Sequence, residues 1–321
     1  MAVRRSTTSS LAESSIIAES PIMQKVLAYA ANIACSDSAV IIYGESGAGK
    51  KAMAQYIYTH SARKDSPFLV LNCASLAPNQ IDLALWGGAG QNGVLAAAHN
   101  GTLLLEDIGT LPFSTQINLC NAIRRRTFRR PGSGESVPCD VRILVSSQKN
   151  LKELVDAGIF FDNLYYSLSV FLITVPPLRQ RKEDIIPLAH WFLEAFNEKS
   201  PVKKRFEPET LYQFKEALWP GNIRELHNVV ERMYTMAPGE ILRQDRPAPD
   251  APVAQQAPAG AFSPEPENLC LKLAVEDFEK QFIQYVIAKC HGNLAESARQ
   301  MGIHRTGLYK KLEKYSIPIV R

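Results

Sequence analysis

The chain contains a glycine-rich stretch, Gly44-Glu45-Ser46-Gly47-Ala48-Gly49-Lys50, that fits the pattern G-x-x-x-x-G-K. A predicted strand ends just before it at Tyr43, and a helix is predicted over residues 51–60. Glycines let backbone N–H groups turn toward phosphate oxygens, the helix N-terminus adds partial positive charge, and Lys50 reaches the outer phosphates. A glycine-rich turn without a ligand is the alternative. We predict a nucleotide-binding P-loop that consists of Gly44, Glu45, Ser46, Gly47, Ala48, Gly49, Lys50 and Lys51.

Two adjacent carboxylates are candidates for the other half of such a site. The predicted buried strand Leu103-Leu104-Leu105 runs directly into Glu106 and Asp107. In P-loop ATPases a strand of this kind brings one carboxylate near magnesium and another near the attacking water. We therefore predict Glu106 and Asp107 as catalytic residues, with Glu106 as the magnesium ligand; a charged turn is the alternative. The hydroxyl that usually follows the lysine is absent, because Lys51 occupies its position.

The C-terminal residues have the pattern of a DNA-binding motif. A helix over 294–301, Gly302 as the residue after it and a second helix from about Arg305 predict a helix-turn-helix. Between residues 294 and 321 there are six Lys or Arg and two acidic residues, as contact with DNA phosphates requires. A basic helical bundle without DNA specificity is the alternative. We predict base contacts from His304, Arg305 and Thr306, and phosphate contacts from Lys310 and Lys311.

An apolar stripe precedes this motif. Its spacing predicts a helix whose apolar face packs on the following helices or on a second copy of itself. Asn293, followed by Glu296, is the predicted N-cap of the next helix. We therefore expect a homo-oligomer, at least a dimer, on double-stranded DNA. The stripe consists of Leu271, Val275, Phe278, Phe282, Ile283, Val286 and Ile287.

The nucleotide-binding residues follow an alternation of strands and amphipathic helices, which predicts an α/β fold with a mostly parallel sheet. We predict a disordered leader over 1–15, an α/β subdomain over 16–175 and a helical lid subdomain over 176–245. A Pro- and Ala-rich linker over 246–267 then leads to an all-α helix-turn-helix domain over 268–321. The predicted strands are 40–43, 68–71, 102–105 and 141–145.

Composition limits the classes of protein that the chain can belong to. The net charge of +4 is too small to indicate nucleic-acid binding by itself, so the local clusters of basic residues decide. No stretch approaches the roughly 18 apolar residues of a membrane span, so no membrane partner is expected. The six cysteines form no C-x-x-C pair, which favours reduced thiols in a cytoplasm over a zinc site or disulfide framework.

These motifs together resemble the NtrC-type enhancer-binding proteins, AAA+ activators of sigma-54 RNA polymerase. The resemblance implies an AAA+ core with a helical lid, ATP and Mg²⁺ as cofactors, and Arg224 as the sensor arginine that reaches the nucleotide. The C-terminal end resembles the family's Fis-type helix-turn-helix, through Met301-Gly302-Ile303 and Leu308-Tyr309. Further landmarks are Glu19-Ser20-Pro21-Ile22-Met23-Gln24, Asn72-Cys73-Ala74, Asn100-Gly101-Thr102-Leu103-Leu104-Leu105, Leu164-Tyr165-Tyr166, Pro176-Pro177-Leu178-Arg179-Gln180-Arg181-Lys182-Glu183-Asp184-Ile185 and Trp219-Pro220-Gly221-Asn222-Ile223-Arg224-Glu225-Leu226.

The chain departs from the family at the residues that contact sigma-54. The family's Gly-Ala-Phe-Thr-Gly-Ala loop is replaced by the segment from Trp86 to Leu95, which is shorter by roughly ten residues. Remodelling of sigma-54 polymerase in the usual way is therefore not expected, although RNA polymerase remains a candidate partner. No phosphorylation-receiver domain is expected ahead of Ile16.

The catalytic positions depart as well. The family's Asp-Glu pair is reversed to Glu106 and Asp107, and Gln148 stands near the position of the sensor asparagine. Phe161 and Ser167 occupy the positions of both arginine fingers, each worth about a thousandfold in rate in other NTPases. The expected protein is a DNA-binding regulator with an ATP-binding, weakly hydrolysing core. The alternatives are an active ATPase that activates sigma-54-dependent transcription and a nucleotide-responsive scaffold that partners an intact family member.

Overall fold

The computed structural model describes residues 16–88, 91–132, 134–243, 279–280, 282–283, 285–287 and 294–315. The chain separates into two compact units, residues 1–250 and 251–321. The predicted leader over 1–15, the predicted linker over 246–267 and the predicted N-cap Asn293 lie outside the described residues.

A five-stranded parallel sheet forms the centre of the first unit. Its strand order is β2-β3-β4-β1-β5, so the loop-bearing strand β1 lies between β4 and β5. The four predicted strands are confirmed, whereas the sequence did not predict β5. β5 is an edge strand in which only Ile173 is fully buried, although its sequence, Phe171-Leu172-Ile173-Thr174, contains an apolar run like those of the central strands. The strands are β1 Val40–Tyr43, β2 Phe68–Asn72, β3 Thr102–Glu106, β4 Arg142–Ser147 and β5 Phe171–Thr174.

Helices cover both faces of this sheet, as an α/β fold requires. Alternate residues of one strand enter opposite cores: Ile41 packs in one apolar cluster, and Val40 and Ile42 pack in the other. On β3, Leu103 likewise packs in the first cluster and Leu104 in the second. The helices are α1 Pro21–Ala34, α2 Lys50–Thr59, α3 Pro78–Trp86, α4 Phe113–Arg125, α5 Leu151–Asp156 and α6 Asp162–Leu168, with one further turn at Val94–Ala97.

The lid is a separate helical layer with its own core. It consists of α7 Ile185–Asn197, α8 Pro208–Glu216 and α9 Asn222–Met236, with the short parallel pair Arg205–Phe206 and Ile241–Leu242. Phe214 and Trp219 are both buried in this core, and the Trp219 indole N–H donates to the Phe214 carbonyl at 2.7 Å. This contact fixes the chain between α8 and α9, and α9 is the helix that begins beside the P-loop.

The second unit has the predicted helix-turn-helix. Residues 279–280, 282–283 and 285–287 are helical, followed by α10 Leu294–Gln300 and α11 Arg305–Lys314. Gly302 adopts a φ of +66°, which suits the glycine that ends a helix. The small core of the second unit contains Ile283, Ala298, Leu308 and Leu312. None of the described helices combines the length and apolar character that a membrane crossing requires.

The lid core gives a first prediction. Phe214→Ala should lower the free energy of unfolding by about 3–5 kcal/mol, because it leaves a cavity beneath Trp219. Tyr212→Ala is the matched control: it lies on the same helix, its side chain is 65 % exposed, and the change should cost little. Urea titration measures both. An equal loss in the two variants would contradict the assignment of Phe214 to the core.

Candidate functional site

The P-loop has the backbone conformation that phosphate binding needs. Gly44, Gly47 and Gly49 have φ values of +157°, +73° and +104°, which L side chains rarely adopt. The Gly44 N–H donates to the Ser147 carbonyl at 3.3 Å, so the loop is joined to β4. The Lys50 ammonium donates to the carbonyls of Gly44 at 2.8 Å and Glu45 at 2.9 Å. The glycines and the lysine therefore fit the phosphates of a nucleotide.

The first turn of the lid helix α9 packs directly on this loop. A side chain at Gly47 would place its Cβ 2.2 Å from the Gly221 carbonyl oxygen. The Ile223 N–H donates to the Gly47 carbonyl at 3.1 Å. The buried Asn222 donates to the Ser46 carbonyl at 3.0 Å and accepts from the Leu178 N–H at 2.7 Å. Loop and lid are thus joined by a backbone hydrogen bond and by the Asn222 side chain, and at Gly47 the two backbones are too close for a side chain.

Glu45 links the loop to the lid through its side chain. Its carboxylate accepts from the two Arg179 guanidinium nitrogens at 2.8 and 2.5 Å and from Asn222 at 3.1 Å. The hydrogen bonds from Arg179 lower the pKa of Glu45 to about 2, so the link stays ionised at neutral pH. Glu45 was predicted as a nucleotide-binding residue; its side chain contacts the lid, and its nucleotide contact stays a prediction.

A buried arginine, Arg181, provides a third connection. It donates to the Ala48 carbonyl at 2.5 Å and is 1 % exposed. The buried Asp184 carboxylate lies 3.9 Å from it and accepts from the Glu19 and Ser20 N–H groups, both at 2.7 Å. The start of α1, the P-loop and the lid therefore meet at this pair. Sequence reasoning did not assign roles to Arg181, Asp184, Arg179 or Asn222, although all four lie within the family landmarks.

The predicted catalytic carboxylates lie where β3 ends. Glu106 and Asp107 are both half-buried, and Asp107 has a φ of +52° with its N–H directed at the Ser146 hydroxyl at 3.4 Å. Burial, together with the charges of Asp107 and Glu106, raises the pKa of the neighbouring Cys73 to about 12. Burial lowers the pKa of Lys50, and the same two carboxylates oppose that shift. The two carboxylates therefore lie close enough to act electrostatically on the P-loop lysine, and their catalytic roles stay predictions.

A cavity of about 870 Å³ adjoins the loop. Gln148, the predicted sensor residue, lines it together with Gly44 and Glu45, and Ile22 and Val175 supply an apolar wall. A wall of this kind suits a flat aromatic base beside a phosphate site. Within the described part of the chain, no group of three or more His, Cys, Asp or Glu residues is arranged to hold a metal ion. Magnesium ligation by Glu106 therefore stays a prediction.

Two further predicted nucleotide-binding residues lie at the edge of the loop. Arg224, on the first turn of α9, is exposed and donates to the Ser46 hydroxyl at 3.3 Å. Arg224, the predicted sensor arginine, therefore lies beside the P-loop, and its contact with a nucleotide stays a prediction. Lys51 is exposed at the start of α2. Its ammonium stands where the P-loop pattern has a Ser or Thr hydroxyl, and an ammonium cannot be a ligand of Mg²⁺.

The positions of the arginine fingers hold side chains that are engaged within the unit. Phe161 is half-buried against Phe113, with ring centroids 5.9 Å apart, and its N–H donates to Gln116 at 2.7 Å. The Ser167 hydroxyl donates to the Asn163 carbonyl at 2.7 Å, within α6. Neither position presents a cation toward a neighbouring molecule.

The shortened loop after Trp86 is a small hairpin. Gly87–Gly88 pairs with Gln91–Asn92 in antiparallel register, and residues 89–90 between them lie outside the described part. Trp86 itself is buried and packs on Phe128, with centroids 5.4 Å apart. The tryptophan is therefore a core residue and not a surface contact element.

The helix-turn-helix exposes most of the predicted DNA contacts. His304, Arg305, Thr306 and Lys310 are all exposed at the start and outer face of α11. Lys311 differs: it is half-buried, and its ammonium forms an ion pair with Glu279 of the preceding helical segment. A phosphate contact from Lys311 would compete with this pair, so the predicted phosphate contact rests mainly on Lys310.

The fold and these sites define a P-loop AAA+ core with a helical lid and a Fis-type DNA-binding unit. Residues 16–174 match the sigma-54 interaction domain, residues 179–258 the AAA+ ATPase lid domain, and residues 274–315 the Fis family of bacterial regulatory proteins. The chain belongs to the NtrC-type family of sigma-54-dependent transcriptional regulators, which confirms the resemblance inferred from the sequence.

Relatives of known identity support this assignment over nearly the whole chain. The transcriptional regulatory protein ZraR of Salmonella typhimurium is 38 % identical over 317 residues, which cover 96 % of this chain and 70 % of ZraR. The regulatory protein AtoC of Escherichia coli is 34 % identical and covers 94 % of this chain and 68 % of its own length. The crystal structure of NtrX from Brucella abortus in complex with ATP has a TM-score of 0.70 at 29 % identity, covering 94 % and 70 % of the chains.

The contact between loop and lid gives a second prediction. Gly47→Ala should weaken nucleotide binding at least tenfold, because the new Cβ collides with Gly221 and displaces the loop. Gly158→Ala is the matched control, since its φ of +70° imposes a similar backbone strain with nothing within 4 Å of the added carbon. Isothermal titration with ATP measures the affinity. If both variants bind ATP as the native chain does, the loop does not depend on this contact.

Proposed function

We propose that this protein is a DNA-binding transcriptional regulator whose AAA+ core binds ATP and hydrolyses it slowly. The observation that carries the proposal is the presence of Phe161 and Ser167 at both finger positions, together with a P-loop that keeps its glycines and Lys50. A core with this arrangement holds a nucleotide, and its bound state sets oligomeric state or partner contact.

ATP binding is supported by the geometry of the loop. The glycine backbone, Lys50 and the N-terminus of α2 form a cradle for phosphates, and Arg224 stands at its rim. The apolar wall of the adjoining cavity suits the adenine base. NtrX, whose structure was solved with ATP, shares this fold. Mg²⁺ would be held by Glu106 together with the phosphates.

Slow hydrolysis follows from the missing cations. An arginine finger stabilises the negative charge that develops on the transferred phosphoryl group, and neither Phe161 nor Ser167 supplies positive charge. Gln148 borders the proposed nucleotide cavity. The reversed pair, Glu106 and Asp107, lies close enough to Lys50 to affect its pKa. Residual turnover is therefore expected, at a rate far below that of a ring with intact fingers.

The short hairpin after Trp86 argues against remodelling of sigma-54 polymerase by the usual loop. Its paired strands are only two residues each. The second candidate, an active sigma-54-dependent activator, is favoured by the carboxylates and Arg224 that survive around the loop. The steady-state ATPase rate distinguishes a slowly hydrolysing regulator from an active sigma-54-dependent activator.

DNA binding is supported by the exposed basic face of α11. Arg305 and Thr306 begin the helix that enters the major groove in proteins with this motif. We propose that the protein acts on chromosomal DNA in the cytoplasm, as an oligomer of at least two copies on paired half-sites. We propose the apolar stripe that contains Phe282 as the surface for that pairing; the Phe282 side chain is 46 % exposed.

The third prediction concerns hydrolysis. The native chain should turn over ATP slowly, and Lys50→Ala should abolish both binding and turnover. Restoring a finger with Ser167→Arg should raise the steady-state rate at least tenfold, since the new guanidinium supplies the missing charge. Ser167→Gln is the uncharged control of similar length. Rapid, Lys50-dependent turnover by the native chain would refute the proposed loss of motor function.

The fourth prediction concerns DNA recognition. Arg305→Ala should reduce the preference for a selected binding site over random duplex by about 1–3 kcal/mol, because the variant can no longer hydrogen-bond to the base edge. Lys310→Ala should weaken binding to both duplexes alike and reduce the salt dependence by about one unit of log–log slope. Lys280→Ala removes another exposed charge of the same unit as the control. Fluorescence anisotropy over a salt series measures all three. Equal behaviour of the three variants would refute the assigned roles.

A further inference from the structure

Five arginines are concentrated within seven residues of the first unit, at the end of α4 and along the strand that follows. None of these arginines belongs to the nucleotide site or to the helix-turn-helix described above. We call this segment the arginine hairpin; it pairs Thr127–Arg129 with Ser136–Pro138 in antiparallel register. The arginines are Arg124, Arg125, Arg126, Arg129 and Arg130.

The hairpin is rigidly attached to the core. Phe128 is buried and packs on Trp86, so its neighbour Arg129 points outward in the alternation of a strand. Arg130 is tied to Glu135 at 3.1 Å and to the Asn92 side chain at 2.8 Å. These contacts hold the hairpin against the core, and the Arg129 side chain extends from it toward solvent.

Two of the five arginines have carboxylate partners, and three do not. Arg126 lies 3.7 Å from Asp140, and Arg130 pairs with Glu135. Arg124, Arg125 and Arg129 are exposed, and they form no ion pair among the residues that the structure describes. The dipole of α4 favours cations at its end, which accounts for Arg124 and Arg125 but not for Arg129 on the strand. A net positive charge is left on one surface.

A concavity of about 400 Å³ lies at this surface. Arg125 and Arg129 line it together with the exposed amides of Asn118 and Asn121, above a floor formed by Trp86. Planar guanidinium groups match phosphate oxygens in paired hydrogen bonds, and amide N–H groups add further donors. The lining therefore suits a phosphate group, and the neighbouring arginines extend the positive charge along a chain of phosphates.

We propose that the arginine hairpin binds the phosphate backbone of duplex DNA, as a second DNA contact of the protein outside the helix-turn-helix. Several exposed arginines close together in the chain suit the repeated charges of a nucleic-acid strand better than a single small anion. The contact carries no base preference, because phosphates are the same at every position. It holds DNA against the AAA+ unit while the helix-turn-helix selects the sequence.

The test uses the full chain in the background Arg305→Gln, Lys310→Gln, which disables the helix-turn-helix. Adding Arg124→Gln, Arg125→Gln and Arg129→Gln should weaken binding of a labelled 30-base-pair random duplex about tenfold or more in 0.1 M salt. The log–log salt slope should become shallower by about 0.9 for each phosphate that the variant no longer neutralises. The matched control, Lys25→Gln with Lys199→Gln and Lys215→Gln, removes three exposed charges elsewhere on the first unit and should leave binding unchanged.

Two further arms keep the outcome specific. Replacing the same three arginines by lysine preserves the charge and should retain most of the binding. A labelled polyglutamate peptide tests an acidic protein partner in place of DNA. Thermal unfolding of each variant checks that the fold is retained. The proposal is overturned if the variant with three arginines replaced by glutamine binds the duplex as tightly as the control with three lysines replaced by glutamine. It is also overturned if the arginine replacements abolish binding of polyglutamate and leave binding of the duplex unchanged.

Discussion

The close approach of the P-loop to the first turn of α9 is the contact on which the rest of the first unit depends. At Gly47 the two backbones are so near that even a methyl group has no space. This fixes the position of Arg224, which can reach the loop only because α9 begins there. It also places Asn222 where one side chain satisfies backbone groups of both layers. The nucleotide site is therefore shared between the sheet and the lid.

The proposed combination of nucleotide binding with slow hydrolysis rests on where positive charge is placed. Binding a nucleotide needs donors that are fixed within one chain, and these are present in the loop, in Lys50 and in Arg224. Fast hydrolysis in this family's architecture needs cations delivered from a neighbouring copy. Phe161 and Ser167 contact Phe113 and Asn163 of the same chain. Under the proposed function, these two residues slow only the step that depends on a neighbouring copy, and nucleotide binding within the chain is retained.

The sequence predicted most of what is encoded locally. The P-loop, four strands and the two helices of the DNA-binding motif follow from residue types within a few positions of one another. Edge strand β5 was not predicted, although its apolar run Phe171-Leu172-Ile173 is the kind of signal that identified the other strands. Arg179 and Asn222 were not assigned roles because both contact Glu45, more than a hundred residues earlier in the chain. Lys311 was assigned to DNA because its ion pair with Glu279 becomes visible only in three dimensions.

The buried pair of Arg181 and Asp184 has a thermodynamic consequence. Each charge is satisfied by a different part of the chain: Arg181 by the Ala48 carbonyl, and Asp184 by the backbone of Glu19 and Ser20. Detaching either part would leave a charge buried without its donors or acceptors, at a cost of several kcal/mol. The sheet layer and the lid are therefore expected to melt as one cooperative body, with no populated state in which the lid alone has come apart.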